Sequence, residues 1–189
     1  MKAIYRRHVH AALDSQVPAK LPGYVVRPIK LSKLERKTAT LFTGSRLYSR
    51  SVPEGTLFIH LIPHRRQEQL LAEVGWSVSD RFPIELSSHG PLTKPANELD
   101  EAEWLIDFGT IYHRRYGRGH PSWDVWKCSV DVTDPSYIKT FMEEDAMLVT
   151  EDQASARAEA AVATCLADLE DVAIPYLNEW MESRRGSAS

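Results

Sequence analysis

Only two cysteines, Cys128 and Cys165, occur in 189 residues. They are too few for a disulfide framework and cannot hold zinc by themselves. Long apolar runs are missing as well, and no stretch approaches the roughly 20 apolar residues of a membrane span. The N-terminal MKAIYRRHVHAALD carries no apolar core of leader length behind its charges. These absences predict a chain that works in a reducing, cytoplasmic setting, away from the membrane. No glycine loop ends in Gly-Lys-Ser/Thr, no Gly-x-Gly-x-x-Gly follows a strand, and no Gly-x-Ser-x-Gly elbow occurs. Nucleotide-cradling folds and serine hydrolases of the elbow type therefore have no support.

With 43% hydrophobic residues the chain can build a core, and its length favours one domain. We read residues 1–182 as that domain and 183–189 as a disordered tail. The net charge of -3 conceals a strong asymmetry. Residues 1–66 hold 13 Lys and Arg against Asp14, Glu35 and Glu54, whereas residues 67–189 hold 10 against 23 acids. Either the basic half faces an acidic partner, or the two halves fold together and neutralise each other.

The patterning predicts α+β architecture: a mainly antiparallel sheet of five to six strands, helices packed on one face, and a long C-terminal helix. A weak helical stripe of Ile4, His8, Ala11 and Ala12 runs through residues 3–13, and Pro18, Pro22, Gly23 and Pro28 argue against a long helix over 17–28. Ser32 and Glu35 have capping-box spacing. Residues 41–51 and 56–62 read as strands joined by the turn Val52-Pro53-Glu54-Gly55. Residues 69–77 alternate as a half-buried strand does. Phe82, Ile84 and Leu86 alternate beside Pro83, as on an edge strand. Asn97 can cap an acidic turn, and residues 104–112 and 126–132 read as further strands. Asp134-Pro135 opens a helix, and Thr150 with Gln153 opens another that carries Val162, Leu166, Leu169 and Ala173. Pro175 kinks or restarts it ahead of Tyr176, Leu177, Trp180 and Met181.

Metal chemistry finds little purchase. His60 and His64 are four apart, but Pro63 intervenes and the glutamate of His-Glu-x-x-His is missing. His8 and His10 sit in a helix at a spacing that chelates from a strand. Glu35-Arg36-Lys37 matches the Glu-x-Lys of some nucleases without an aspartate to complete it. We therefore assign no catalytic residue, no metal ligand and no cofactor.

The segment YHRRYGRGHPSWDVWK, residues 112–127, is richer. Tyr112, His113, Arg114, Arg115, Tyr116, Arg118, His120 and Trp123 form its candidate binding set, on a loop expected between two strands. Guanidinium groups beside aromatic rings suit a protein hot spot, and equally phosphates and stacked bases. The competing reading is a hairpin loop whose tryptophans enter the core and whose arginines meet the acidic C-terminal region. Between Asp134 and Glu182 that region holds 12 acids against Lys139 and Arg157.

Three segments, LFTGSRLYSRSVPEGTLFIHLIP, AEVGWS and IPYLNEW, together with the basic N-terminal helix, give an order that resembles uncharacterised bacterial domain families. Some of those families are linked to toxin–immunity and phage-defence loci. The likeness covers residues 38–77 and 174–180 and rests on patterning, so it carries over no site residue. It implies a bacterial, soluble, non-enzymatic protein. The expected function is macromolecule binding, with an immunity-type inhibitor of a toxin or other protein as the leading form. The alternative is a binder or enzyme acting on nucleic acid or a phosphate ligand through residues 112–127. A homodimer formed through Trp180 is a third expectation.

Overall fold

The computed structural model describes residues 3–29, 44–64, 69–83, 97–119, 123–124 and 149–187. The expectations for Ser32–Glu35, Glu35–Lys37, Ile84–Leu86, His120, residues 126–132 and the Asp134 helix lie outside those residues.

Five strands form one antiparallel path in chain order: β1 (Val25–Arg27), β2 (Arg46–Val52), β3 (Gly55–Pro63), β4 (Gln69–Ser77) and β5 (Glu103–Asp107). A two-residue strand, β6 (Trp123–Asp124), pairs with the Gln69–Leu70 end of β4. Helices α1 (Ala3–Lys20), α2 (Phe108–Tyr116), α3 (Glu151–Asp168) and α4 (Ile174–Ser187) complete the fold. The α+β class and the antiparallel sheet are as the patterning predicted. Among the described residues no helix is long and apolar enough to cross a membrane.

The hairpin between β2 and β3 turns where Pro53-Glu54 joins Val52 to Gly55, which pair with each other. Gly55 has φ +148, and a Cβ there would press on the Ser77 carbonyl, so glycine is required. Along β3 and β4, alternate residues Leu57, Ile59, Leu61, Leu70, Ala72, Val74 and Trp76 join the main core with the helices. Tyr5, Val9, Ala12, Leu13 and Val17 supply the α1 side. Trp76 stacks on Trp180 of α4 at a centroid distance of 5.2 Å, so Trp180 is an internal core residue and offers no dimer contact.

Four local expectations need correction. The buried stripe of α1 is rotated from Ile4, His8 and Ala11 onto Tyr5, Val9, Leu13 and Val17, with Ile4 packed at its margin. This helix also runs through Pro18; Leu21 N–H donates to the Val17 carbonyl at 2.8 Å and closes the turn beyond it. Phe82 lies in no strand; it packs with Leu47, Phe58 and Leu105 in a second, smaller core on the opposite sheet face. The tail expected from residue 183 is helical to Ser187, because Arg184 donates to the Asp100 carbonyl at 2.8 Å and Arg185 bonds Glu54.

Thr150 and Gln153 do form a reciprocal capping box at the start of α3. Between α3 and α4 the backbone widens into a π turn over Leu169–Ala173, where Ile174 N–H donates to the Leu169 carbonyl. Pro175 follows directly, and a wider turn relieves the clash that its ring would make in a regular helix.

Candidate functional site

The segment expected as a loop begins as helix. The strand read over 104–112 stops at Asp107, whose carboxylate accepts from Thr110 N–H at 3.2 Å and so caps α2. The helix ends at Gly117, φ +67, whose N–H returns to the His113 carbonyl. His113, Arg114 and Arg115 thus occupy the last turn, where positive charge opposes the exposed carbonyls.

The candidate set divides in two. Tyr112 and Trp123 are buried in the main core. Trp123 packs against Phe108 at 4.9 Å, and its indole N–H donates to Asp168 at 2.6 Å. Arg114 bonds Glu98, a side chain only 13% exposed, and Glu98 also accepts the Tyr176 hydroxyl at 2.8 Å. Burial, and then the charge of Glu98, push the Tyr176 phenol far above its ordinary range. These three members serve packing and charge balance inside the chain.

His113, Arg115, Tyr116 and Arg118 are exposed, as is Arg114 despite its bond to Glu98. The Arg115 guanidinium lies 5.6 Å from the Tyr116 ring centroid and 3.6 Å from Asp171. The Tyr116 hydroxyl also bonds Asp171, which raises its pKa. One carboxylate of the π turn therefore meets both side chains, at a site where exchange with solvent or a partner costs little. The basic and acidic parts meet elsewhere too: Arg7 and His8 converge on Glu151, and Lys20 reaches Glu170.

A second polar region was not legible as a site. Among the described residues the buried polar side chains are Ser49, Thr56, His60, Glu73 and Ser77, and the strand register puts all five on the sheet face away from the helices. His60, fully buried, has Nδ1 2.9 Å from Glu73 Oε2 across β3 and β4. Asp107 is the next residue in that cross-strand row. Residues 78–82 cross this face: Asp80 accepts from Arg27 and from Thr56, each at 2.6 Å, and Phe82 sets its ring edge-on to His60 at 5.3 Å. Those bonds, Arg27 first, lower the Asp80 pKa.

No group of three metal-binding side chains gathers among the described residues. Cys165 is fully buried, and burial holds its thiol protonated.

No protein-family model, curated protein or solved structure matches the chain.

Proposed function

We propose that the protein is a non-enzymatic, cytoplasmic macromolecule-binding protein that takes a protein partner on the C-terminal end of α2. The observation that carries this reading is the exposed Arg115–Tyr116 pair. Tyr116 is 41% exposed and is the one aromatic among the exposed large apolar side chains of the described residues. Arginine and tyrosine together are the residue types that dominate binding energy in protein interfaces. Arg118 extends the patch with positive charge, which suits an acidic partner surface, and His113 lies beside it. Asp171 shows that the pair accepts a carboxylate.

The immunity-type inhibitor is the narrower form of this reading. Its support is the exposed acids Asp152, Glu159, Glu170, Glu179 and Glu182 along α3, the π turn and α4, a surface suited to the basic cleft of a toxin. The phosphate or nucleic-acid reading has less behind it, because Arg114 and Arg115 already face carboxylates.

The test is recovery of a stoichiometric partner by the tagged protein from its own host. The double variant Arg115→Ala/Tyr116→Ala should lose that partner while its melting temperature stays unchanged. Equal recovery by the variant, or recovery of nucleic acid alone, overturns the proposal.

A further inference from the structure

The exposed ring of Tyr116 is supported from the core. It lies 4.7 Å from the ring of Tyr112, which lies 5.9 Å from Phe108, and Phe108 packs on Trp123 at 4.9 Å. Tyr112, Phe108 and Trp123 are buried, so a row of aromatic rings runs from the main core out to Tyr116. The Tyr116 hydroxyl is thereby presented at a set position, and little freedom is lost when something binds it. Arg115 stands over the face of the same ring, 5.6 Å from its centroid, which keeps the guanidinium beside the hydroxyl.

Both groups converge on one carboxylate. Asp171 accepts from the Tyr116 hydroxyl through Oδ2 and faces the Arg115 guanidinium with Oδ1 at 3.6 Å. A phenol and a guanidinium on the two oxygens of one carboxylate make a charge-assisted clamp. Its acidic side is held by the backbone alone. Leu169, Val172 and Ala173 of the π turn are buried and anchor the chain, whereas the Asp171 side chain is 61% exposed. Rotation of that side chain empties the clamp without any change in the fold. Exposed contacts of this kind are weak, and favour the closed form by no more than about fivefold. The neighbouring Glu170 points elsewhere, to Lys20 at 3.8 Å.

We infer that Asp171 is an internal stand-in for a ligand carboxylate, and that the Arg115–Tyr116 pair takes an aspartate or glutamate side chain of the protein partner in its place. The inference rests on the binding surface proposed above and gives that surface its chemistry. Asp171 opposes the incoming group in two ways: it fills the clamp, and its charge repels a second carboxylate. Apparent affinity falls with the fraction of molecules in which the clamp is closed. An isolated acidic group is therefore disfavoured, and a partner that adds further contacts displaces Asp171.

The inference is tested by titrating fluorescein-labelled hexaglutamate with the full chain at low salt and following fluorescence anisotropy. Asp171→Ala should bind the peptide about two- to fivefold more tightly than Glu170→Ala does. The second variant removes the same charge one residue away and leaves the clamp untouched, so it measures the repulsion alone. Adding Arg115→Ala and Tyr116→Phe to Asp171→Ala should abolish the gain. Equal tightening by Asp171→Ala and Glu170→Ala, a gain that survives loss of both clamp residues, or no binding of hexaglutamate by Asp171→Ala overturns the inference. Partner recovery from the host is a separate readout. If the Arg115→Ala/Tyr116→Ala variant still loses that partner, the surface stands and only its carboxylate chemistry falls.

Discussion

The Trp123 indole N–H and the Asp168 carboxylate meet at 2.6 Å, 45 residues apart in the chain. That bond draws the end of the arginine-rich segment against the acidic helices. Trp123 lies in the core, whereas among the described residues of the segment, 113–119 face solvent. The basic and acidic halves of the sequence thus meet in part within one molecule, and the surface open to a partner is correspondingly smaller.

Removing the acceptor takes away the bond that Asp168 makes to the Trp123 indole in a part-buried position. Asp168→Ala should therefore lower stability by about 1–3 kcal/mol. Urea unfolding followed by tryptophan fluorescence measures this directly. Adding Trp123→Phe to the Asp168→Ala variant should cost less than the two single losses together.

Arg114 and Arg115 are neighbours in sequence with opposite roles. Arg114→Ala strips the cation from Glu98, a nearly buried carboxylate, and should cost about 1–2 kcal/mol. Arg115→Ala breaks only an exposed contact and should change stability by no more than about 0.5 kcal/mol. Thermal unfolding of the two single variants separates them, and an equal loss in both would show that Arg115 too is structural.

The features legible in the sequence were the local ones. The Val52–Gly55 turn, the β4 alternation, the Asn97 cap and the Thr150–Gln153 box each depend on residues within a few positions of one another. Helix α2 was misread as strand because Trp104, Ile106 and Phe108 alternate across the boundary. Asp107 followed by Phe108, Ile111 and Tyr112, with Gly117 beyond, was the signal for a capped helix. His60 and Glu73 became partners only through the β3–β4 register, and their spacing of 13 carries no periodic mark. Likewise Arg114 met Glu98, and Arg115 met Asp171, only after the helices docked.

Gly75 is held to its identity by the sheet. A Cβ there would overlap the Trp104 carbonyl and crowd Leu105, so β4 and β5 could not keep their pairing of Gly75 with Leu105. Gly75→Ala should destabilise by about 2–3 kcal/mol and raise amide exchange in β5 first. Gly119→Ala, with open space around it, is the neutral control.

Acid should weaken the bonds that hold residues 79–81 to Arg27, Thr56 and Glu103. Hydrogen bonds from Arg27 and Thr56 hold Asp80 below its ordinary 3.8, and Ser79, Arg81 and Ser77 hold Glu103 below 4.5. The folded pKa is the lower one, so this stabilisation is complete above the unfolded values and is lost as pH falls below about 4 toward the folded values. Melting temperatures across pH 3–6 should show a downward slope that Asp80→Asn and Glu103→Gln flatten. An unchanged slope would remove these two groups from the acid response.

At the alkaline end Tyr48 contributes to a second loss, which it shares with Tyr24 and Tyr176, whose phenols burial also raises. Burial, with a smaller contribution from Asp14, raises its phenol to about 12. For a group that is neutral when protonated, a raised folded pKa favours the folded state below the unfolded value of 10. That advantage is lost as pH rises from 10 through about 12. The Tyr48 hydroxyl is buried without a hydrogen-bond partner among the described residues, so Tyr48→Phe removes a desolvated oxygen and breaks no bond. The variant should match or slightly exceed the native stability at pH 7, and its unfolding free energy should fall less between pH 10 and 12. Absorbance at 295 nm supplies the complementary reading: one phenol fewer should ionise late in the titration. A loss of stability at pH 7 would mean instead that the hydroxyl is bonded in solution and that the alkaline response originates elsewhere.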